Sequence, residues 1–203
     1  MFKKAGVILG VVFITFFIAI APSFAATIVN TGNPTDPTHW YFGAASNQWL
    51  AGEFTISQPY ALTDIKTFCN WTSGSNIANI AIYSDGGDVP GSLLFNQSFT
   101  VGSTSAWQGL SGLNWNLTEG TYWVGFENRA GNFYGTMGGG SVLNPMQGEA
   151  YFNNYSGGQY VAGSHEYIPA IIEGIPTATP EPASLSLLGL GLLGLVFKRK
   201  KTR

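Results

Sequence analysis

Between residues 26 and 180, apolar side chains recur at every second position in short runs. Ala78, Ile80 and Ile82 alternate with Asn79, Ala81 and Tyr83. Leu93, Phe95, Phe99 and Val101 alternate with Leu94, Asn96, Ser98 and Thr100, with Gln97 the polar exception on the first face. Leu113, Trp115 and Leu117 alternate with Asn114, Asn116 and Thr118, and Tyr122, Val124 and Phe126 face away from Trp123, Gly125 and Glu127. A period of two marks half-buried strands. Turn residues separate the runs at 84–88, 89–91, 118–120 and 156–158. No stretch of the body carries a helical apolar stripe of useful length. Short aromatic and β-branched strands at near-regular spacing predict an all-β fold, an antiparallel β-sandwich of jelly-roll-like type.

Finer features extend this pattern. Residues 151–155 and 159–161 flank a Ser-Gly-Gly turn and predict a hairpin, and residues 166–173 predict a closing strand whose Pro169 suggests an edge or the strand's first turn. The glycine-rich stretch 131–140 reads as a loop or an irregular edge strand. Residues 174–180 read as an extended linker, so the expected domain is 26–174, followed by a Pro-rich linker and motif over 175–182.

The two ends depart from this pattern. Residues 1–25 carry Lys3 and Lys4, an apolar stretch from Ala5 to Ala21, Pro22, and small residues at Ser23 and Ala25, which is the layout of a signal peptide cut between Ala25 and Ala26. The last residues read Pro180-Glu181-Pro182-Ala183-Ser184, then thirteen apolar or small residues from Leu185 to Phe197, then Lys198-Arg199-Lys200-Lys201. As a helix, thirteen residues reach roughly 20 Å, against about 30 Å of hydrocarbon. A run this short, beside a small-residue motif, suits a tail held briefly and then cut. Its basic end stays on the cytoplasmic side and leaves the body on the far side of the membrane.

The tail, 183–203 together with its Pro-Glu-Pro, resembles the PEP-CTERM sorting signal of Gram-negative bacteria. The resemblance implies recognition by an exosortase after signal peptidase has acted, transient residence in the inner membrane, and export in cells that commonly make exopolysaccharide. A weaker resemblance, to choice-of-anchor β-sandwich domains, rests on Gln48 to Thr55, Ile80 to Gly91 and Leu117 to Val124. It implies a secreted or surface sandwich and no particular chemistry.

Charge changes the picture of partners. The formal net charge of −2 averages over basic ends. Between 26 and 180, two bases (Lys66 and Arg129) stand against ten acids, a net −8. Nucleic acid is therefore a poor partner, because binding there depends on Lys and Arg neutralising phosphates.

The candidate chemistry is sparse. Cys69 is the single cysteine and shares a strand face with Ile65, Thr67 and Trp71, so it reads as core. No nucleophile elbow, metal-ligand histidine spacing or glycosidase motif is present, and no cofactor is indicated. Asp85 and Asp88 in an Asp-Gly-Gly-Asp loop are candidate calcium ligands, although the same residues make a turn. All six tryptophans lie in the body, and Trp40-Tyr41-Phe42 cannot all face a core. Trp40, Tyr41 and Trp123 are the candidate rings for a sugar-binding platform. The sequence thus points to an exported, non-enzymatic surface or matrix protein, associated with biofilm or exopolysaccharide. A carbohydrate-binding module is the alternative, and a glycosidase a second one.

Overall fold

A computed structural model describes residues 24–43, 47–129, 132–139, 145–152, 158–163 and 168–177. These residues form twelve strands: β1 (Ala26–Asn30), β2 (Asp36–Gly43), β3 (Trp49–Ile56), β4 (Tyr60–Gly74), β5 (Ile77–Asp85), β6 (Pro90–Thr100), β7 (Ala106–Leu117), β8 (Gly120–Glu127), β9 (Phe133–Gly139), β10 (Glu149–Phe152), β11 (Val161–Ala162) and β12 (Ile171–Pro176). Among the described residues no helix is long and apolar enough to cross a membrane. The expected signal segment up to Ser23 and the tail from 178 onward lie outside the described residues.

The strands make two antiparallel sheets, as the alternation predicts. Sheet A runs β1-β12-β4-β9-β2, with β7 on the other side of β4; sheet B runs β11-β10-β3-β8-β5-β6. From β2 to β5 and from β6 to β10, each successive strand lies in the opposite sheet. The exceptions are the β5–β6 and β10–β11 hairpins, the second being the hairpin expected around residue 156, and β1 and β2, which lie in the same sheet A without pairing with each other. Phe42, Leu50, Phe54, Leu62, Ile65, Ile80, Ile82, Val124, Phe126, Phe133 and Met137 are all within 1% of complete burial between the sheets. Burial of each such side chain is worth about 1.5–3 kcal/mol. Cys69 belongs to this core at 0% exposure, and burial pushes its thiol up to about 12, so it serves as an inert filler.

Three local expectations need correction. The glycine-rich stretch contains β9, which is not an edge: it lies between β4 and β2. Its glycines are required by close approach, since a Cβ at Gly135 would overlap the Asn70 carbonyl oxygen, and Cβ atoms at Gly138 and Gly139 would strike the Pro34 and His39 side chains. The closing strand begins at Ile171 and sits between β1 and β4, so Pro169 precedes an interior strand and marks no edge. The Pro169 carbonyl accepts a 2.8 Å hydrogen bond from the buried Thr67 hydroxyl. Finally, β12 continues through Pro176, opposite Tyr60, two residues past the expected domain end at 174.

Candidate functional site

Alternation along a strand gives each sheet an outer face as well as a core face. On the outer face of sheet B, Ala150, Ala51, Gly125 and Ala81 lie in one row across β10, β3, β8 and β5. On one side of this row stand Glu53, Trp123 and Tyr83, paired across the same strands; on the other stand Glu127 and Asn79. The row of small side chains leaves room for rings to fold over it. Tyr83 and Tyr160 do so, and with Trp123 and the three alanines they form a second, smaller apolar cluster.

A polar quartet closes this end of the face. The Glu127 carboxylate, 0% exposed, accepts through Oε1 from the Tyr83 hydroxyl and from the Tyr160 hydroxyl at 2.9 Å, and through Oε2 from Arg129 Nε. Arg129 also donates to the Tyr83 hydroxyl at 2.8 Å and lies over the Trp49 ring, 5.6 Å from its centroid. Trp49 in turn stacks on Phe152 with centroids 4.2 Å apart. Burial, then the Glu127 charge, raises the Tyr83 phenol above its ordinary value and lifts Tyr160 likewise. Burial alone lowers the Arg129 guanidinium, but Glu127 and the two phenols outweigh it and leave it raised. Every oxygen of Glu127 is thus engaged by a donor, and the body's one arginine is its counter-ion. The group is built to hold β5, β8 and the segment bearing Tyr160 together.

The residues nominated from sequence fall in different places. Trp123 is only 1% exposed, so it is corrected from a surface ring to a packed one: flanking Tyr83 and Glu53, and the segment through Gly148, cover it. Trp40 points toward the core side of sheet A and packs against the main core, whereas Tyr41, the next residue, is 70% exposed on the outer face. Trp40 and Tyr41 therefore do not join Trp123 in one platform. Asp85 Oδ1 accepts from Gly87 N at 2.9 Å and from Trp123 Nε1 at 3.3 Å, which is the turn-forming role. Asp85 and Asp88 raise the pKa of Glu53, after burial, the largest cause. Among the described residues, no three His, Cys, Asp or Glu side chains gather closely enough to hold a metal.

The outer face of sheet A carries a different set. Asn70, Thr136 and Tyr41 lie in one row across β4, β9 and β2. Asn70 Oδ1 accepts from both the Thr136 amide and its hydroxyl, at 3.0 and 2.8 Å. Tyr134, 39% exposed, stands diagonally from Tyr41 on the same face, and the Thr72 hydroxyl donates to its carbonyl. On the other side of the row, the Phe68 and Trp107 rings meet edge to face at 5.7 Å, with Trp107 Nε1 held by Asn33 at 2.9 Å. Rings thus flank an amide and hydroxyl row on this face. Sequence reasoning found Tyr41 here but not Tyr134 and Thr136, because glycine left 131–140 as a loop or irregular edge strand, nor Asn70 on β4, whose partner Thr136 is 66 residues away.

At the last described residue, Thr177 N donates to Pro59 O at 3.0 Å. From the next residue, 178, to residue 200, the chain matches the PEP-CTERM protein-sorting motif. The chain carries a PEP-CTERM tail. That tail implies export and transient membrane anchoring in a Gram-negative bacterium, with processing by an exosortase. No curated protein matches the chain.

Proposed function

We propose that the chain is a non-enzymatic protein of the cell surface or extracellular matrix, in which the PEP-CTERM tail delivers a β-sandwich that works by contact. The observation that carries this reading is that the chain which folds as the two-sheet body, described through Thr177, bears the sorting motif over 178–200. The cargo of the tail is therefore the sandwich itself. The best-placed titratable groups in the body are committed to structure, Glu127 to three donors and Asp85 to its turn and Trp123. Fractionation of the native host tests the reading. The body is expected in the outer-surface or matrix fraction; recovery in the inner membrane alone would contradict it.

A second reading, a carbohydrate-binding module, is favoured by the outer face of sheet A. Tyr41 and Tyr134 offer exposed rings, and beside them lie the amide of Asn70 and the hydroxyl of Thr136. Rings with polar neighbours suit the apolar faces and hydroxyl edges of a neutral sugar. On a glycan array, the exported protein is expected to bind a neutral oligosaccharide. Tyr41→Ala and Tyr134→Ala should each weaken that binding about three- to tenfold, the equivalent of ~0.5–1.5 kcal/mol per ring. An array without signal, or variants that bind as the parent does, would count against this site.

A further inference from the structure

The two strands that end the two sheets on one side of the sandwich are β6 and β7, and they are consecutive in the chain. Phe95 of β6 stacks on Trp115 of β7, centroids 5.2 Å apart and planes within 8°, so the two edges lie one above the other. From Val89 to Thr118, thirty residues that include both strands, there is not one Asp, Glu, Lys or Arg. Asp88 and Glu119 bracket the stretch. Long edge strands normally carry lysine, proline, bulges or a covering loop, because their outward N–H and C=O groups are a template for another strand. Here β6 pairs with β5 alone among the described strands, and eight of its residues, 91–94, 96–98 and 100, are exposed. Leu93 and Leu94 are exposed by 45% and 43%.

The two edges are not equally fit to accept a partner. In β7 the register breaks between Leu62/Trp115 and Asp64/Ser111, where Gly112 adopts φ +68°, and such a bulge twists an edge away from pairing. β6 has register shifts of its own between Pro90 and Phe95, but from Phe95 to Thr100 it runs unbroken against β5 with four of the six residues exposed, whereas the unbroken run of β7, Ala106 to Ser111, has one exposed. The only proline of β6 is Pro90 at its first position. The far edge of sheet B is the two-residue β11. Elsewhere the body, net −8, repels its own copies; at this uncharged side it does not.

We propose that β6 is a self-association edge: it pairs antiparallel with β6 of a second copy about a two-fold axis and joins the two six-stranded B sheets into one. Two-fold pairing uses each edge once and closes, and each copy presents the same uncharged strand to the other. The exposed Leu93 and Leu94 are carried into or beside the contact. Assembly by this route depends on neither the sugar-binding reading nor the final location of the protein.

Sedimentation velocity on the exported, tail-processed protein tests the proposal, alongside the double variant Gln97→Lys/Ser98→Lys. Both positions are exposed on β6, and the new charges would face their like across the axis. The parent is expected to sediment as a dimer, and the variant to dissociate with a Kd raised about tenfold or more at an unchanged melting temperature. Thr27→Lys/Ala162→Lys adds the same charge at exposed positions of β1 and β11, the far edges of the two sheets, and should leave the dimer intact. In single-cysteine variants at Asn96, Gln97 and Ser98, mild oxidation should link two chains at one position at least, with Cys69 buried and silent. A parent that stays monomeric over the accessible concentration range, or a lysine variant that dimerises as tightly as the parent, would overturn the assignment.

Discussion

Replacing Glu127 by alanine is expected to destabilise the body by about 3–5 kcal/mol, the cost of stripping one partner from a buried ion pair. The carboxylate is wholly buried and receives the Tyr83 and Tyr160 hydroxyls and Arg129 Nε, so its removal leaves three donors short of their acceptor. Arg129 is one-third exposed and turns to water at modest cost, which places the loss toward the lower end of that range. Glu127→Gln keeps the shape and one acceptor oxygen and should cost less. Thermal unfolding reads both, at about 2–4 °C of melting temperature for each kcal/mol in a domain of this size. A loss below about 1 kcal/mol would mean that water already replaces the quartet. The same quartet fixes a pH dependence. Both phenols have raised pKa values in the folded state, so their contribution is complete below the ordinary tyrosine value near 10 and is lost as pH rises above it. Stability should therefore fall on the alkaline side in the parent, and less so in Tyr83→Phe.

Trp123→Ala is expected to cost about 3–5 kcal/mol as well, through the cavity it leaves under Tyr83 and beside Glu53. The indole is 1% exposed and its Nε1 donates to Asp85, so the turn at 85–88 loosens with it. The outcome separates two roles for this ring. A packed ring gives a large drop in melting temperature with no selective change in sugar binding. A ligand-facing ring would give lost binding at unchanged stability. Tyr41→Ala should show the opposite pattern, because Tyr41 is 70% exposed and little rests on it.

The strands were legible from sequence, since Ile80-Ala-Ile and Tyr122-Trp-Val-Gly-Phe carry a period of two. Their order in space was not, because the chain passes between the sheets at most turns, and alternation says which residues share a face without saying which sheet they join. The period also misplaced Trp123. It correctly set Trp123 opposite Val124, but an outward face reads as solvent until Tyr83, Glu53 and the segment through Gly148 are known to cover it. Glu127 was invisible as a buried group for the same reason: its partners Tyr83 and Tyr160 are 44 and 33 residues away. One signal was available, the body's single arginine placed two residues after a glutamate at a strand end. β9 was read only as a loop or an irregular edge strand because glycine lowers strand propensity, and only the neighbours at Asn70, Pro34 and His39 explain why glycine stands in an interior strand there. The sorting tail was fully legible, since it is read as a linear address.

The most direct test of the account is the intact mass of the protein recovered outside the inner membrane of its native host, beside a variant with Pro180, Glu181 and Pro182 replaced by alanine. The parent is expected to begin at Ala26 and to have lost the apolar and basic residues after the motif. The variant should keep its tail and stay with the inner membrane. Parent and variant emerging with the same tail, cut or uncut, would contradict the claim that this β-sandwich is the cargo of a PEP-CTERM signal.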